Sequence, residues 1–136
     1  MSVARASVRA VASTVDGSTR DARSALGRSG EGATLDVYLR RGFRSIARNW
    51  RCALGELDLV VERDGLLVFC EVKTRSGAAF GGGYEAVTWT KRRKLRQLAE
   101  AFLATSRVRH RDVRFDVASV WLGRGASDVE IFEDAF

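Results

Sequence analysis

Between Gly55 and Lys73 the chain reads Gly55-Glu56-Leu57-Asp58-Leu59-Val60-Val61-Glu62-Arg63-Asp64-Gly65-Leu66-Leu67-Val68-Phe69-Cys70-Glu71-Val72-Lys73, with acids where a sheet ordinarily buries hydrophobic side chains. Asp64-Gly65 separates two runs rich in β-branched and aromatic residues. Both residues tolerate the positive φ of a type I′ turn, so the stretch predicts a β-hairpin closed at that dipeptide. Closure there pairs Arg63 with Leu66, Val61 with Val68, Leu59 with Cys70, Asp58 with Glu71 and Glu56 with Lys73. A three-residue loop would slip the register by one and put Asp58 and Glu71 on opposite faces.

Directly opposed residues of an antiparallel pair have Cβ atoms roughly 5 Å apart, and like charges there destabilise the sheet. At an effective dielectric near 20 the repulsion is about 3 kcal/mol before screening. A cation, or a proton on one carboxyl, removes it. Mg²⁺ or Mn²⁺ suits the pair, since hard cations take oxygen ligands and keep positions open for water and substrate phosphate. Lys73 returns to the same face as Glu71 by the period of 2. Asp58 and Glu71 as metal ligands with Lys73 beside the attacking water make a phosphodiester-hydrolysing trio. The competing reading is an amphipathic hairpin with a solvated charged face. Val60 and Phe69 share the face of Asp58 and Glu71, while Leu57, Leu59, Val61, Val68, Cys70 and Val72 take the other. Two apolar faces describe a sheet covered on both sides, where carboxylates need a reason.

Gly55-Glu56-Leu57-Asp58-Leu59-Val60 followed by Val68-Phe69-Cys70-Glu71-Val72-Lys73-Thr74-Arg75 resembles the core motif of the YraN-like family of small uncharacterised bacterial proteins. Gly30-Glu31, Tyr38-Leu39-Arg40-Arg41-Gly42-Phe43, Ala47-Arg48-Asn49-Trp50-Arg51, Phe80-Gly81, Glu85-Ala86-Val87-Thr88, Arg114-Phe115-Asp116-Val117 and Asp134-Ala135-Phe136 follow in the family's order. The resemblance covers roughly residues 24 to 136. It implies a restriction-endonuclease-like fold similar to that of Holliday junction resolvases, with Asp58, Glu71 and Lys73 on a D...ExK signature. It also implies that the Val72 carbonyl joins the metal ligands and that an N-terminal helix contributes an acid, here Glu31, whose alternative is a helix-surface position. Glu31 and Glu56 are further candidates, as outer ligands or for a second ion. The family often carries a proline between the Phe80-Gly81 and Glu85-Ala86-Val87 motifs. This chain has Gly82, Gly83 and Tyr84 there and no proline at all.

The elements that must position these residues are legible in outline. Leu35, Tyr38 and Leu39 space an amphipathic helix from about Ala25 to Arg41, with Gly42 as terminator. Phe43 to Arg51 alternates as a strand, with Asn49 and Trp50 closing it. Ser76 to Tyr84 is a glycine-rich loop beside Lys73. A second helix spans Thr90 to Ser106 with Leu95, Leu98, Ala99, Phe102 and Leu103 on one stripe. Its first turns crowd Lys91, Arg92, Arg93, Lys94 and Arg96, where the macrodipole disfavours cations. Bound phosphate would offset that cost, and Arg75, Lys91, Arg92, Arg93 and Lys94 form a candidate nucleic-acid surface. Strands follow at Val113–Leu122 and Val129–Phe132. Asp116 reads as structural.

Composition agrees with one domain. The chain has 136 residues, 46% of them hydrophobic, and a net charge of +6, which suits a polyanionic partner. Cys52 and Cys70 form neither a disulfide framework nor a zinc spacing and fit a reducing cytoplasm. His110, the single histidine, sits in a polar run and reads as a solvated loop residue. The GxxxxGK[ST] spacing of a phosphate loop is absent. Residues 1–23 are rich in Ser, Ala and Arg and read as a disordered extension, either from a misplaced start codon or, less simply, as a transit peptide. No run is long enough for a membrane helix.

The expectation is an α/β domain over residues 24–136, a central mixed β-sheet flanked by helices, acting in the cytoplasm as a Mg²⁺- or Mn²⁺-dependent nuclease on DNA. A branched substrate would call for a homodimer, since two symmetric cuts need two sites. The alternatives are a nucleic-acid-binding module without turnover and a protein-interaction scaffold on a nuclease fold.

Overall fold

The computed structural model describes residues 5–11, 22–76, 88–123 and 126–136, with side chains over 30–75, 88–123 and 127–136. Its elements are β1 (Arg5–Val11), α1 (Ala22–Arg40), β2 (Arg44–Cys52), β3 (Gly55–Arg63), β4 (Leu66–Ser76), α2 (Trp89–Thr105), β5 (Asp112–Gly123) and β6 (Ala126–Phe132). The strands form one sheet in the order β1-β6-β5-β4-β3-β2. Only β4 and β5 run parallel, and α2 lies between them in the chain. That is the crossover a parallel pair requires. The architecture is the expected α/β one, a mixed sheet with helices on both faces.

The hairpin forms at the expected dipeptide, with Asp64 at φ 50° and Gly65 at φ 85°. Register follows the sequence reading from Arg63↔Leu66 through Val61↔Val68 to Leu59↔Cys70. There the ladder stops. Asp58 and Glu71 are not ladder partners, nor are Glu56 and Lys73, because β3 leaves β4 at this point and continues only against β2. Beyond that point Leu57 packs with Val60 and Phe69 on the α2 side, instead of joining Leu59 and Val61 as strict alternation demands.

Both faces are covered. Leu59, Val61, Val68, Cys70, Ala118, Val120, Val129 and Ile131 pack under Ala33, Leu35, Val37 and Tyr38 of α1. Val60, Leu67, Phe69 and Val117 pack under Leu95, Leu98, Ala99 and Phe102 of α2. The second helix begins at Trp89, and Thr88 caps it by accepting the Lys91 N–H at 3.2 Å. The first ends where expected. Gly42 takes φ 86°, and the Phe43 N–H returns to the Tyr38 carbonyl at 3.0 Å.

Residues 5–11 correct the expectation of a disordered extension, for they form β1 in antiparallel register with β6 from Arg5↔Phe132 to Val11↔Ala126. An uncovered β6 would present a row of unpaired N–H and C=O groups, and β1 supplies their partners. The glycine-rich loop lies outside the described residues from 77 to 87.

Asp116 is structural, as read. It is fully buried and accepts from Tyr38 Oη at 2.7 Å, from Arg114 at 2.9 Å through both oxygens, and from the Asp134 N–H at 3.0 Å. Cys52 and Cys70 are free thiols, the latter buried on the α1 side, and His110 is exposed. Among the described residues no helix is long and apolar enough to cross a membrane.

Candidate metal centre

Where β3 parts from β4, a side chain takes over the role of a backbone acceptor. The Val72 N–H donates to Asp58 Oδ2 at 2.9 Å. In a strand the N–H and C=O of one residue project toward the same edge, so the Val72 carbonyl is also turned toward β3. Asp58 is thereby held at the sheet's open seam.

Glu31 arrives from the opposite layer. A Cβ placed on Gly30 would lie 2.0 Å from Thr74 Oγ1, so α1 touches β4 at a spot only glycine permits. This contact carries the next residue into the sheet. Glu31 is 7% exposed. The Asn49 side chain hydrogen-bonds its carboxylate, while Oε2 is buried with no hydrogen-bond partner. One carboxylate oxygen from each of Glu31, Glu56 and Asp58 lies within 4.8 Å of the others. Glu71 is not part of that trio. It turns to the α2 side, where Lys91 Nζ stands 3.1 Å from its Oε1. The two regions meet at Glu56, which also lines a cleft of about 180 Å³ with Gly55, Glu71, Lys91, Lys94, Leu95 and Leu98.

The electrostatics follow from crowding. Burial, then the charge of Glu71 and the lesser charges of Glu31 and Glu56, push the Asp58 carboxyl up to about 8, although the Val72 hydrogen bond opposes them. Burial also raises Glu31, with Glu56 and Glu71 adding to it and Asn49 and Arg48 working against it. Cations meet the rim of the cluster. Arg51 Nε lies 3.0 Å from Glu56 Oε2, matching Lys91 on Glu71.

This donor set fits a hard divalent cation. It is all oxygen, it is over-supplied with negative charge, and one oxygen of Glu31, Oε2, lacks a donor although buried. An unsatisfied buried carboxylate oxygen is costly unless a cation or proton meets it.

The remaining predicted residues divide between site and surroundings. Lys73 is half-buried on β4 at the register position of Ser119. Arg75, also half-buried, lies opposite Trp121. Lys91 and Lys94 line the cleft. Arg93 is directed elsewhere, its guanidinium 5.7 Å from the Trp89 ring centroid, and Arg92 is partly covered.

Three positioning features escaped the sequence reading. Asn49, assigned only to closing a strand, adopts φ 49° and faces Glu31. An asparagine inside an alternating strand is the signal that would have found it, since asparagine tolerates the left-handed region. Gly30 against Thr74 joins two motif positions that only the folded chain brings together. Arg48 had no distinguishing sequence signal.

A model of the Uncharacterised protein family UPF0102 matches residues 30–120 of this chain. A UPF0102 protein of Mycolicibacterium gilvum is 47% identical over 109 residues, covering 79% of this chain and 89% of the relative. Another, from Moorella thermoacetica, is 41% identical over 112 residues, or 81% and 93% of the two chains. Among solved structures, Pyrococcus furiosus SfsA in complex with Ca²⁺ is similar at 14% identity and a TM-score of 0.34, over 82% of this chain and 63% of that one.

Proposed function

Since the chain belongs to the uncharacterised protein family UPF0102, the YraN family whose motif its hairpin resembles, and that description assigns no activity, we propose from the site itself that the protein is a Mg²⁺- or Mn²⁺-dependent endonuclease acting on DNA. The observation that carries this reading is the convergence of one carboxylate oxygen each from Glu31, Glu56 and Asp58 within 4.8 Å, together with a buried Glu31 oxygen, Oε2, that has no hydrogen-bond partner. Asp58 and Glu31 would be the inner ligands, with the Val72 carbonyl beside them. Glu56 and Glu71 hold the outer side toward the cleft. The chemistry supplied by the bound ion would be Lewis-acid stabilisation of charge on the scissile phosphate and a lower pKa for the attacking water. Lys73 would hold the attacking water and meet the charge developing on the phosphate. Lys91, Lys94 and Arg75 hold flanking phosphates. If the substrate is branched, two copies of the chain act together, one per strand.

The ion pair of Lys91 with Glu71 favours a second reading, a DNA-binding module without turnover, because it neutralises one acid with no metal at all. A cleavage panel of junctions, flaps and linear duplexes with Mg²⁺ or Mn²⁺ separates the two. The nuclease reading expects cutting by wild type, with Asp58→Asn and Glu71→Gln inactive yet still binding. Binding without cleavage on every substrate establishes the second reading instead, and cleavage that survives Asp58→Asn removes the site from consideration.

A further inference from the structure

Trp89, the first residue of α2, is 73% exposed, the most solvent-accessible large hydrophobic side chain among the described residues. An indole in water forgoes the largest apolar burial available to any side chain, and a helix start gains nothing from it. Its surroundings indicate what it meets. Lys91, Arg92, Arg93, Lys94 and Arg96 follow on the next two turns, and no acid stands in the first turn to balance them. Arg93, one turn on, lies over the ring with its guanidinium 5.7 Å from the centroid, and Trp89 as a whole stays exposed. Among the described residues Trp89 is the one exposed large hydrophobic side chain on α2, a flat ring on a helix face rich in cations. A lipid surface or an apolar protein face asks for several such side chains. An exposed aromatic plane amid cations is the arrangement that holds a nucleobase, because every base has a π-face and every nucleotide a phosphate.

Placement narrows the ligand further. Lys91, two residues along, reaches Glu71 at the metal centre. At 3.6 residues per turn the two side chains leave the helix about 200° apart, so a base on Trp89 lies off the path of the strand that runs past Lys91. Bases inside a continuous duplex have both faces covered by their neighbours and cannot reach it. We infer that Trp89 is a stacking platform for an unpaired base of the DNA strand bound at this site, which assigns single-stranded or flapped segments next to the cut as the preferred substrate class. This rests on the DNA-binding part of the proposed function and is independent of turnover.

Binding of a fluorescein-labelled single-stranded oligonucleotide and of a blunt duplex of the same sequence, measured by anisotropy in EDTA, tests it without cleavage. Trp89→Ala weakens single-strand binding about tenfold, leaves duplex binding within about twofold, and keeps the salt dependence because no phosphate contact is lost. Trp89→Phe retains most of the affinity, and neither variant changes the melting temperature. Equal weakening of both DNAs, weakening of neither, or no binding of DNA by wild type overturns the platform. Failure of the nuclease reading looks different: Trp89-dependent single-strand binding persists in a protein that cuts nothing.

Discussion

Asp58 Oδ2 accepts the Val72 N–H at 2.9 Å at the point where the β3–β4 ladder ends after Leu59↔Cys70. A carboxylate thus does what a carbonyl does one step earlier along the hairpin, and the strands separate just enough to admit other groups. Oδ2 accepts the backbone N–H, and the carboxylate keeps further lone pairs that a cation could meet.

Replacing Asp58 by Asn keeps the shape and an acceptor for Val72 while removing an ionisable group whose charged form burial and Glu71 both oppose. In EDTA the variant melts about 3–6 °C higher than wild type, the shift expected for a gain on the order of 1 kcal/mol. Titration calorimetry with Mn²⁺ shows binding abolished.

Protons and metal compete for the same oxygens. Asp58 is raised to about 8 from an ordinary 3.8, so between those values the folded protein holds a proton that the unfolded chain has released. Stability therefore declines as pH rises through that window, which is opposite in sign to a salt-bridged carboxylate. Glu31, raised by burial, acts in the same direction. Melting temperatures in EDTA fall from pH 5 to pH 8, Asp58→Asn flattens the slope, and Mn²⁺ affinity climbs over the same range because the ligands must be deprotonated.

Lys91 spends its charge on Glu71 when no substrate is present. Glu71→Gln releases it. In EDTA the variant binds DNA several-fold more tightly than wild type, and the slope of log affinity against log salt steepens by about 1, the signature of one added phosphate contact. In Mg²⁺ it does not cut. An unchanged slope would mean that Lys91 never reaches phosphate.

Gly30→Ala puts a methyl where Thr74 Oγ1 already is. The helix must lift, at a cost of about 1–3 kcal/mol, and Glu31 lifts with it, so Mn²⁺ binding weakens more than stability alone accounts for. Thr74→Ala in the same chain recovers part of both losses, because the closest remaining atom is Cβ at 3.1 Å. Urea melts and calorimetry read the two effects separately.

Much of this arrangement was legible before folding, because local rules governed it. The Asp64-Gly65 turn, the register down to Leu59↔Cys70, both helices and the two apolar faces follow from φ preferences and periodicity. The rest depended on where a regular pattern stops. Period-2 counting continues through Asp58 as though β4 still lay alongside, and therefore pairs it with Glu71 and misplaces Leu57. No count along a strand reveals that a neighbour has left. The strand at Arg5–Val11 was missed for a related reason, since its partner is β6 at the far end of the chain. Residue types pointed to a cation; which acids would converge was a tertiary matter, and Glu31 and Glu56 sit closer to Asp58 than the pairing argument gave them credit for.

Gly30 against Thr74 and Tyr38 against Asp116 grip α1 two turns apart, one contact on β4 and the other on β5. A rod fastened at two places on a rigid plate can neither slide nor roll. Glu31, seated between those fastenings, is therefore held in one posture by the fold itself. The disorder lost in fixing that carboxylate belongs to folding, and capture of an ion there would need no rearrangement of the helix.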